Sequence, residues 1–178
     1  MDLESEILKE HSKRQVMKIA KWIGSDRIRF KQLMELFLNG EPVVSQRSAW
    51  TVGYCGEKYP ALITPWLPAM LKKMQEENVH CAVKRNVTRT LQYIEIPRKH
   101  LGKVITICFN ELADPSNTIA VRAFSMYVLA KITKQEPGII NELKLTIEQM
   151  LPHATAGLRA CSRKVLKQLS SQGNQKSI

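Results

Sequence analysis

Hydrophobic side chains recur along this chain at the three- and four-residue spacing of amphipathic helices. Leu33, Leu36 and Phe37 form one such stripe, and Val104 and Cys108 belong to another. Polar breaks rich in Asn, Asp, Gly and Pro separate the apolar stretches, and these residue types suit helix caps and first-turn prolines. The pattern therefore predicts helices that are joined in pairs by short turns.

Four arginines set the period of this pattern. Arg47, Arg85, Arg122 and Arg159 follow one another at intervals of 38, 37 and 37 residues. Three residues after each arginine stands a small hydroxyl side chain in every unit but the first, where Trp50 occupies the position. Fourteen residues before each arginine stand Leu33, Leu71, Cys108 and Leu145. A period of this length is typical of helical solenoids.

The register predicts four helix pairs and one additional helix. A helix at 2–22 is expected to cap the first pair, because a terminal repeat otherwise exposes its stacking face. The polar tail 171–178 is expected to be disordered. Together these elements predict a single domain over 1–170, with repeats at about 25–60, 61–97, 98–135 and 136–170. The pairs are 26–39 with 42–58, 61–77 with 79–96, 98–113 with 116–134, and 138–151 with 154–170.

The unit resembles the HEAT-repeat family of the armadillo-like superfold. A HEAT unit has a helix, a turn with Asp or Pro, and a second helix that opens with an apolar–Arg pair; Asp114-Pro115 followed by Val121-Arg122 is similar. The resemblance implies an all-α fold, a right-handed α-α superhelix of about four helix pairs with second helices on its concave side. It also implies that each ladder arginine bonds a neighbouring turn. The candidate partners are Asn39, Asn78 and Asp114.

Composition narrows the class of protein. Lys and Arg total 27 against 16 Asp and Glu, which gives a net charge of +11. No apolar run approaches the roughly 18 residues of a membrane span, so no membrane partner is expected, and the acidic N-terminus does not resemble a secretory signal. The cysteines are scattered inside apolar stretches, which predicts reduced core residues in a cytoplasmic protein. They are Cys55, Cys81, Cys108 and Cys161.

The sequence contains none of the common catalytic signatures. It has no GxxxxGK[ST], GxGxxG, GxSxG or HExxH motif, so no cofactor and no metal are expected. Some HEAT-like proteins are alkylpurine DNA glycosylases that use a concave carboxylate. The candidates here are Glu57, Glu95 and Asp114, and Asp114 falls at a turn between helices. An enzyme is therefore the less favoured interpretation.

Basic residues at helical spacing form the first set of candidate binding residues. Like charges four residues apart share a helix face and repel one another, so an anionic partner would compensate them. A solvated basic face is the alternative interpretation. The set comprises Lys84, Arg85 and Arg89, then Arg159, Arg163 and Lys167, together with the ladder residues Arg47 and Arg122.

Arg47, Trp50 and Tyr54 form the second candidate set, on one face of the first unit's second helix. Such a patch suits a hot spot for a protein partner, and its indole could stack a nucleic-acid base. Alternatively, Trp50 fills a gap beside Trp66, while Trp22 packs the N-terminal cap.

The leading hypothesis is a non-catalytic scaffold that binds a protein on its concave face, as a monomer or weak oligomer. Nucleic-acid binding through a basic concave stripe is the second hypothesis, because the net charge of +11 suits a polyanion.

Overall fold

A computed structural model describes residues 1–173, and every regular element in that range is helical. The predicted all-α fold is therefore confirmed. Short 3₁₀ segments lie at Thr64–Trp66, Pro137–Ile139 and Leu151–His153. The α-helices are α1 (Leu3–Lys9), α2 (Lys13–Ile23), α3 (Arg27–Asn39), α4 (Pro42–Lys58), α5 (Pro60–Ile63), α6 (Leu67–Lys73), α7 (Cys81–Leu91), α8 (Arg98–Ala113), α9 (Ile119–Ile132), α10 (Ile140–Met150) and α11 (Ala156–Gly173).

Local capping chemistry sets where several helices begin. The side chains of Ser12, Asp26 and Thr118 each accept a hydrogen bond from a main-chain N–H of the following turn. These bonds satisfy amide groups that have no partner within the helix. The Nδ1 atom of His80 does the same for Ala82 at the start of α7, at 3.1 Å.

The N-terminal segment differs from the expected single helix at 2–22. It is two helices, because Ser12 caps a new start and accepts from the N–H of Gln15 at 3.2 Å. Helix α1 contacts α3, and α2 contacts α4. The same order holds in the next layer, where α3 contacts α6 and α4 contacts α7. The segment is therefore a shortened helix pair and not a single capping helix.

The first helix of the second pair is also interrupted. The predicted helix 61–77 is divided into α5, a 3₁₀ turn at Thr64–Trp66, and α6. Pro65 and Pro68 lie at the interruption, and a proline ring has no N–H to continue the helical ladder.

At the other end of the chain, α11 continues to Gly173, so 171–173 are helical where a disordered tail was expected. The rest of the predicted tail, 174–178, lies outside the described residues.

The chain divides after His100 into two compact units, Met1–His100 and a second unit that begins at Leu101. In a helical repeat each pair contacts only its neighbours, so contacts group locally along the chain. The core of the first unit includes the fully buried Phe30, Phe37 and Met70. In the second unit α9 packs on α11, and both Leu129 and Val165 are fully buried.

Helices α4 and α7 approach each other closely at two glycines. A Cβ atom at Gly53 would lie 3.0 Å from Oδ1 of Asn86, and one at Gly56 would lie 2.7 Å from Cγ2 of Thr90. Asn86 is buried and donates from Nδ2 to the carbonyl of Ala82 at 2.8 Å. The absence of two side chains thus brings the second helices of the first unit into direct contact, which positions the exposed side of α4.

Candidate interaction surface on helix α4

Helix α4 presents the predicted aromatic patch along one side. It starts at Pro42, whose fixed φ and missing N–H suit the first helical position. Near its start, Oγ of Ser45 donates to the carbonyl of Phe37 at 2.7 Å, which ties α4 to α3. Arg47, Trp50 and Tyr54 are all half-buried and follow one another at spacings of three and four, so they share a helix face.

Arg47 and Trp50 both contact the N-terminal segment, Arg47 at the end of α1 and Trp50 in the connection between α1 and α2. The Arg47 Nη1 atom donates to the carbonyl of Leu8 at 2.6 Å, in the last turn of α1. The indole of Trp50 meets the imidazole of His11 edge-on, with ring centroids 5.3 Å apart and an interplanar angle of 65°. Its ring contact is therefore with His11 and not with Trp66, the neighbour considered from the sequence.

Three of the four ladder arginines donate to main-chain oxygens. Besides the bond of Arg47 to Leu8, Arg122 donates to the carbonyl of Leu112 at 2.9 Å. Arg159 donates to the carbonyl of Pro152 at 3.4 Å. The resemblance gave Asn39, Asn78 and Asp114 as candidate partners. The acceptors in these three bonds are the carbonyls of Leu8, Leu112 and Pro152 instead. The last carbonyls of a helix have no intrahelical partner, so they offer acceptors whatever the side chains are.

Two arginines act on His11, the imidazole that contacts Trp50. Burial lowers the pKa of His11 below its usual value of 6.5, and the charges of Arg47 and Arg85 lower it further. Arg85 is exposed on α7. The surface thus combines two arginines, an indole and an imidazole that is kept neutral more readily than usual.

Replacement of Arg85 by glutamine should raise the pKa of His11, because one repelling cation is removed. An NMR titration of the His11 ring protons measures this shift. Arg27→Gln, at an exposed position that does not act on His11, is the matched control. Since the unfolded chain binds the His11 proton more tightly, stability should fall as the pH drops below about 6.5. An unchanged His11 midpoint in Arg85→Gln would disprove the proximity of the two charges.

A cleft of about 460 Å³ lies between α2 and α4, beside the patch. Tyr54 belongs to both the cleft and the patch. The Nζ atom of Lys58 lies 5.9 Å from the centroid of the Tyr54 ring. No carboxylate lines the cleft. Its lining residues are Arg14, Met17, Lys18, Ala20, Lys21, Tyr54, Lys58 and Tyr59. Sequence reasoning missed this feature, although the spacing of Arg14, Lys18 and Lys21 already put three cations on one face of α2.

The basic set on α7 is partly neutralised. The Arg89 Nη2 atom lies 2.5 Å from Oε2 of Glu57 on α4, so this ion pair links the two helices. Lys84 is half-buried and Arg85 is exposed. Of these candidates, Arg85 presents the most accessible charge.

The basic stripe in the second unit lies open to solvent. Arg159, Arg163 and Lys167 are all exposed on α11. Beside them, the Nζ atom of Lys164 lies 5.8 Å from the centroid of the Tyr127 ring. Arg122 is half-buried on α9 and also points Nη2 at the sulfur of Met150, at 3.5 Å. The exposed stripe on α11 and the half-buried Arg122 on α9 therefore have different surroundings.

Trp22 has a separate environment, away from the patch. The guanidinium carbon of Arg29 lies 4.7 Å from the centroid of the Trp22 ring. Nη1 of the same arginine donates to the carbonyl of Trp22 at 2.6 Å. The contact joins the end of α2 to the start of α3.

The cysteines among residues 1–173 differ in their burial. No group of three His, Cys, Asp or Glu side chains in this range is placed to hold a metal ion. Burial raises the pKa of Cys55 and of Cys108 to about 12, which keeps both thiols protonated. Cys81 is exposed at the first position of α7, so the expectation of a core residue is wrong there.

A comparison with protein families matches the HEAT repeat domain over residues 3–169. The chain belongs to the HEAT repeat domain family. The match begins at Leu3, the first residue of α1, so it includes the shortened pair α1–α2. Searches of curated proteins and of solved structures found no match. HEAT repeats are helical scaffolds that commonly mediate protein interactions. Within residues 1–173, no helix combines the length and apolar character that a membrane crossing requires.

Proposed function

We propose that this HEAT-repeat chain is a non-catalytic scaffold that binds a protein partner on its second-helix side, through Arg47, Trp50 and Tyr54. The supporting observation is that these three side chains share one half-buried face of α4. Tryptophan, tyrosine and arginine dominate the binding energy of many protein interfaces.

The patch is also held in place before any partner arrives. Arg47 is bonded to Leu8 at 2.6 Å, and Trp50 is packed against His11 at 5.3 Å. Side chains that are already ordered lose less conformational entropy on binding. A preorganised face of this kind supports the interpretation as a binding site over the interpretation as a face that only contacts water.

Nucleic acid is the second candidate, and the exposed Arg163 and Lys167 on α11 favour it. Within the first unit, the support is weaker because Glu57 neutralises Arg89. A glycosylase has less support still. Glu57 is in that ion pair, and Asp114 accepts from the N–H of Ser116 at 2.8 Å within its turn.

Photo-crosslinking from position 50 tests the protein-binding proposal. Benzoylphenylalanine in place of Trp50 should form one dominant adduct with a protein in living cells. The same probe in place of Tyr93, which is 42% exposed in the same unit, is the control and should not form that adduct. Addition of Tyr54→Ala should reduce the yield about tenfold, the effect of losing ~1.4 kcal/mol of contact energy.

Two outcomes would contradict this proposal. One is an adduct with DNA or RNA from position 50, which would transfer support to the nucleic-acid candidate. The other is the same set of adducts from positions 50 and 93, which would show that the α4 face has no preference for a partner.

A further inference from the structure

We infer that the cleft between α2 and α4 docks an acidic peptide segment that inserts an apolar side chain. This inference rests on the proposed function and names the chemistry of the partner at one place. It follows from the charge of the cleft rim, the apolar character of its walls and its position beside the α4 patch.

The rim of the cleft carries cations that the first unit leaves unneutralised. Lys18 is paired with Glu6 at 2.6 Å, and Arg14 with Glu10 at 3.0 Å. Lys21 and Lys58 form no ion pair among the described residues, and no carboxylate lines the cleft. Two ammonium groups without a counter-charge attract carboxylates from a partner, and like charges exclude basic segments.

The walls of the cleft are suited to an apolar side chain. Met17 is 44% exposed there, and the rings of Tyr54 and Tyr59 and the methyl group of Ala20 complete the lining. An exposed methionine adapts its shape to varied side chains, and lysine stems add apolar surface below their charged ends. The volume of about 460 Å³ falls within the range of about 300–1,000 Å³ typical of ligand pockets.

The cleft continues into the patch through a shared residue. Tyr54 lines the cleft and follows Trp50 by one helical turn on α4. A peptide that leaves the cleft along α4 therefore meets Trp50, with Arg47 and Arg85 close enough to act on His11. Cations lie at both ends of this path, Lys21 and Lys58 at the cleft and Arg47 three residues before Trp50, which favours an acidic segment.

A nucleic acid fits this cleft less well than a peptide. Bases bind to single-strand sites by stacking on open aromatic faces. The face of the Tyr54 ring is already covered by the ammonium group of Lys58, which lies 5.9 Å from the ring centroid. An apolar side chain needs only the cleft volume and makes no demand on ring geometry.

Fluorescence anisotropy on the full chain tests the inference. The probe is a fluorescein-labelled peptide of glutamates around one central phenylalanine. Matched peptides carry glutamine in place of each glutamate, or alanine in place of the phenylalanine. We expect the first peptide to bind, with an affinity that falls steeply with salt, and each matched peptide to bind at least tenfold more weakly.

Charge reversal locates the binding site. Lys21→Glu combined with Lys58→Glu should weaken peptide binding at least tenfold. Arg98→Glu combined with Lys99→Glu makes the same change in net charge at two exposed positions of the first unit and should leave binding unchanged. A third variant, Met17→Glu, blocks the apolar wall and should also abolish binding. Circular dichroism on each variant tests whether the helices are retained.

Several results would overturn the inference. One is that the Arg98→Glu, Lys99→Glu control loses as much peptide affinity as the Lys21→Glu, Lys58→Glu variant. Another is that the glutamine peptide binds as tightly as the glutamate peptide. A third is that a labelled single-stranded oligonucleotide binds at Lys21 and Lys58 more tightly than the peptide does. A partner that crosslinks at position 50 but binds the Lys21→Glu, Lys58→Glu variant normally would refute the cleft and leave the proposed function standing. Peptide binding in the cleft without any crosslinked partner would support the cleft and count against the proposed function.

Discussion

Leu33→Ala is expected to destabilise the first unit by about 2–5 kcal/mol, the usual cost of deleting a fully buried leucine. Leu33 is 0% exposed in α3, beside Phe30, Met34 and Phe37. The loss combines the transfer free energy of the removed carbons with the cavity that remains. Urea unfolding followed by circular dichroism measures the change as a lower transition midpoint.

Leu145→Ala is the matched control, since Leu145 stands at the same distance before its arginine as Leu33 does. Leu145 is 56% exposed, so its truncation should change the free energy of unfolding by less than about 0.5 kcal/mol. In α10 the buried positions are Leu143, Ile147 and Met150, one residue out of register with α3. Equal destabilisation by the two substitutions would show that this shift in register is wrong.

Gly56→Ala is expected to destabilise the first unit by about 1–3 kcal/mol, the typical cost of overpacking. The new methyl group would lie 2.7 Å from Cγ2 of Thr90 and 3.2 Å from Cγ1 of Ile63. Thr90 cannot move aside cheaply, because it is buried and its Oγ1 donates to the carbonyl of Asn86 at 2.7 Å. The clash outweighs the roughly 1 kcal/mol that alanine gains over glycine in a helix.

Gly102→Ala is the same substitution at a position where we expect the protein to become more stable instead of less stable. Gly102 is exposed in α8, and a Cβ atom there would meet nothing within 4 Å. Only the helix-propensity term remains, so the variant should be more stable by about 0.5–1 kcal/mol. Thermal unfolding of both variants shows whether Gly56→Ala lowers the unfolding midpoint and Gly102→Ala raises it. Stabilisation by Gly56→Ala would mean that α4 and α7 are further apart than the structure shows.

The register set by the arginine period predicts the burial of some positions correctly and of others wrongly. Leu33, Leu71 and Cys108 are fully buried as their shared position suggests, whereas Leu145 is exposed. A period fixes the average spacing of units, but one extra residue in a turn rotates the next helix by about 100°. Only the packed structure shows which side of α10 then faces the core.

The candidate site shows the same division. Spacing along α4 alone was enough to predict that Arg47, Trp50 and Tyr54 share a face. The partners of these residues come from distant positions, as the sequence separation of 39 between Leu8 and Arg47 shows. The ion pair of Arg89 with Glu57 joins positions 32 residues apart. It neutralises a charge on α7 that the sequence alone gave as available to a partner.

Hydrophobic spacing, the arginine period and the capping residues determine that this chain is a series of helix pairs. These features act within a few residues of one another, so they can be recognised along the sequence. Tertiary structure alone decides that α1 and α2 form a shortened pair and that a cleft opens between α2 and α4. Such features depend on how side chains from separate helices meet, and that is set by the packing of the whole unit.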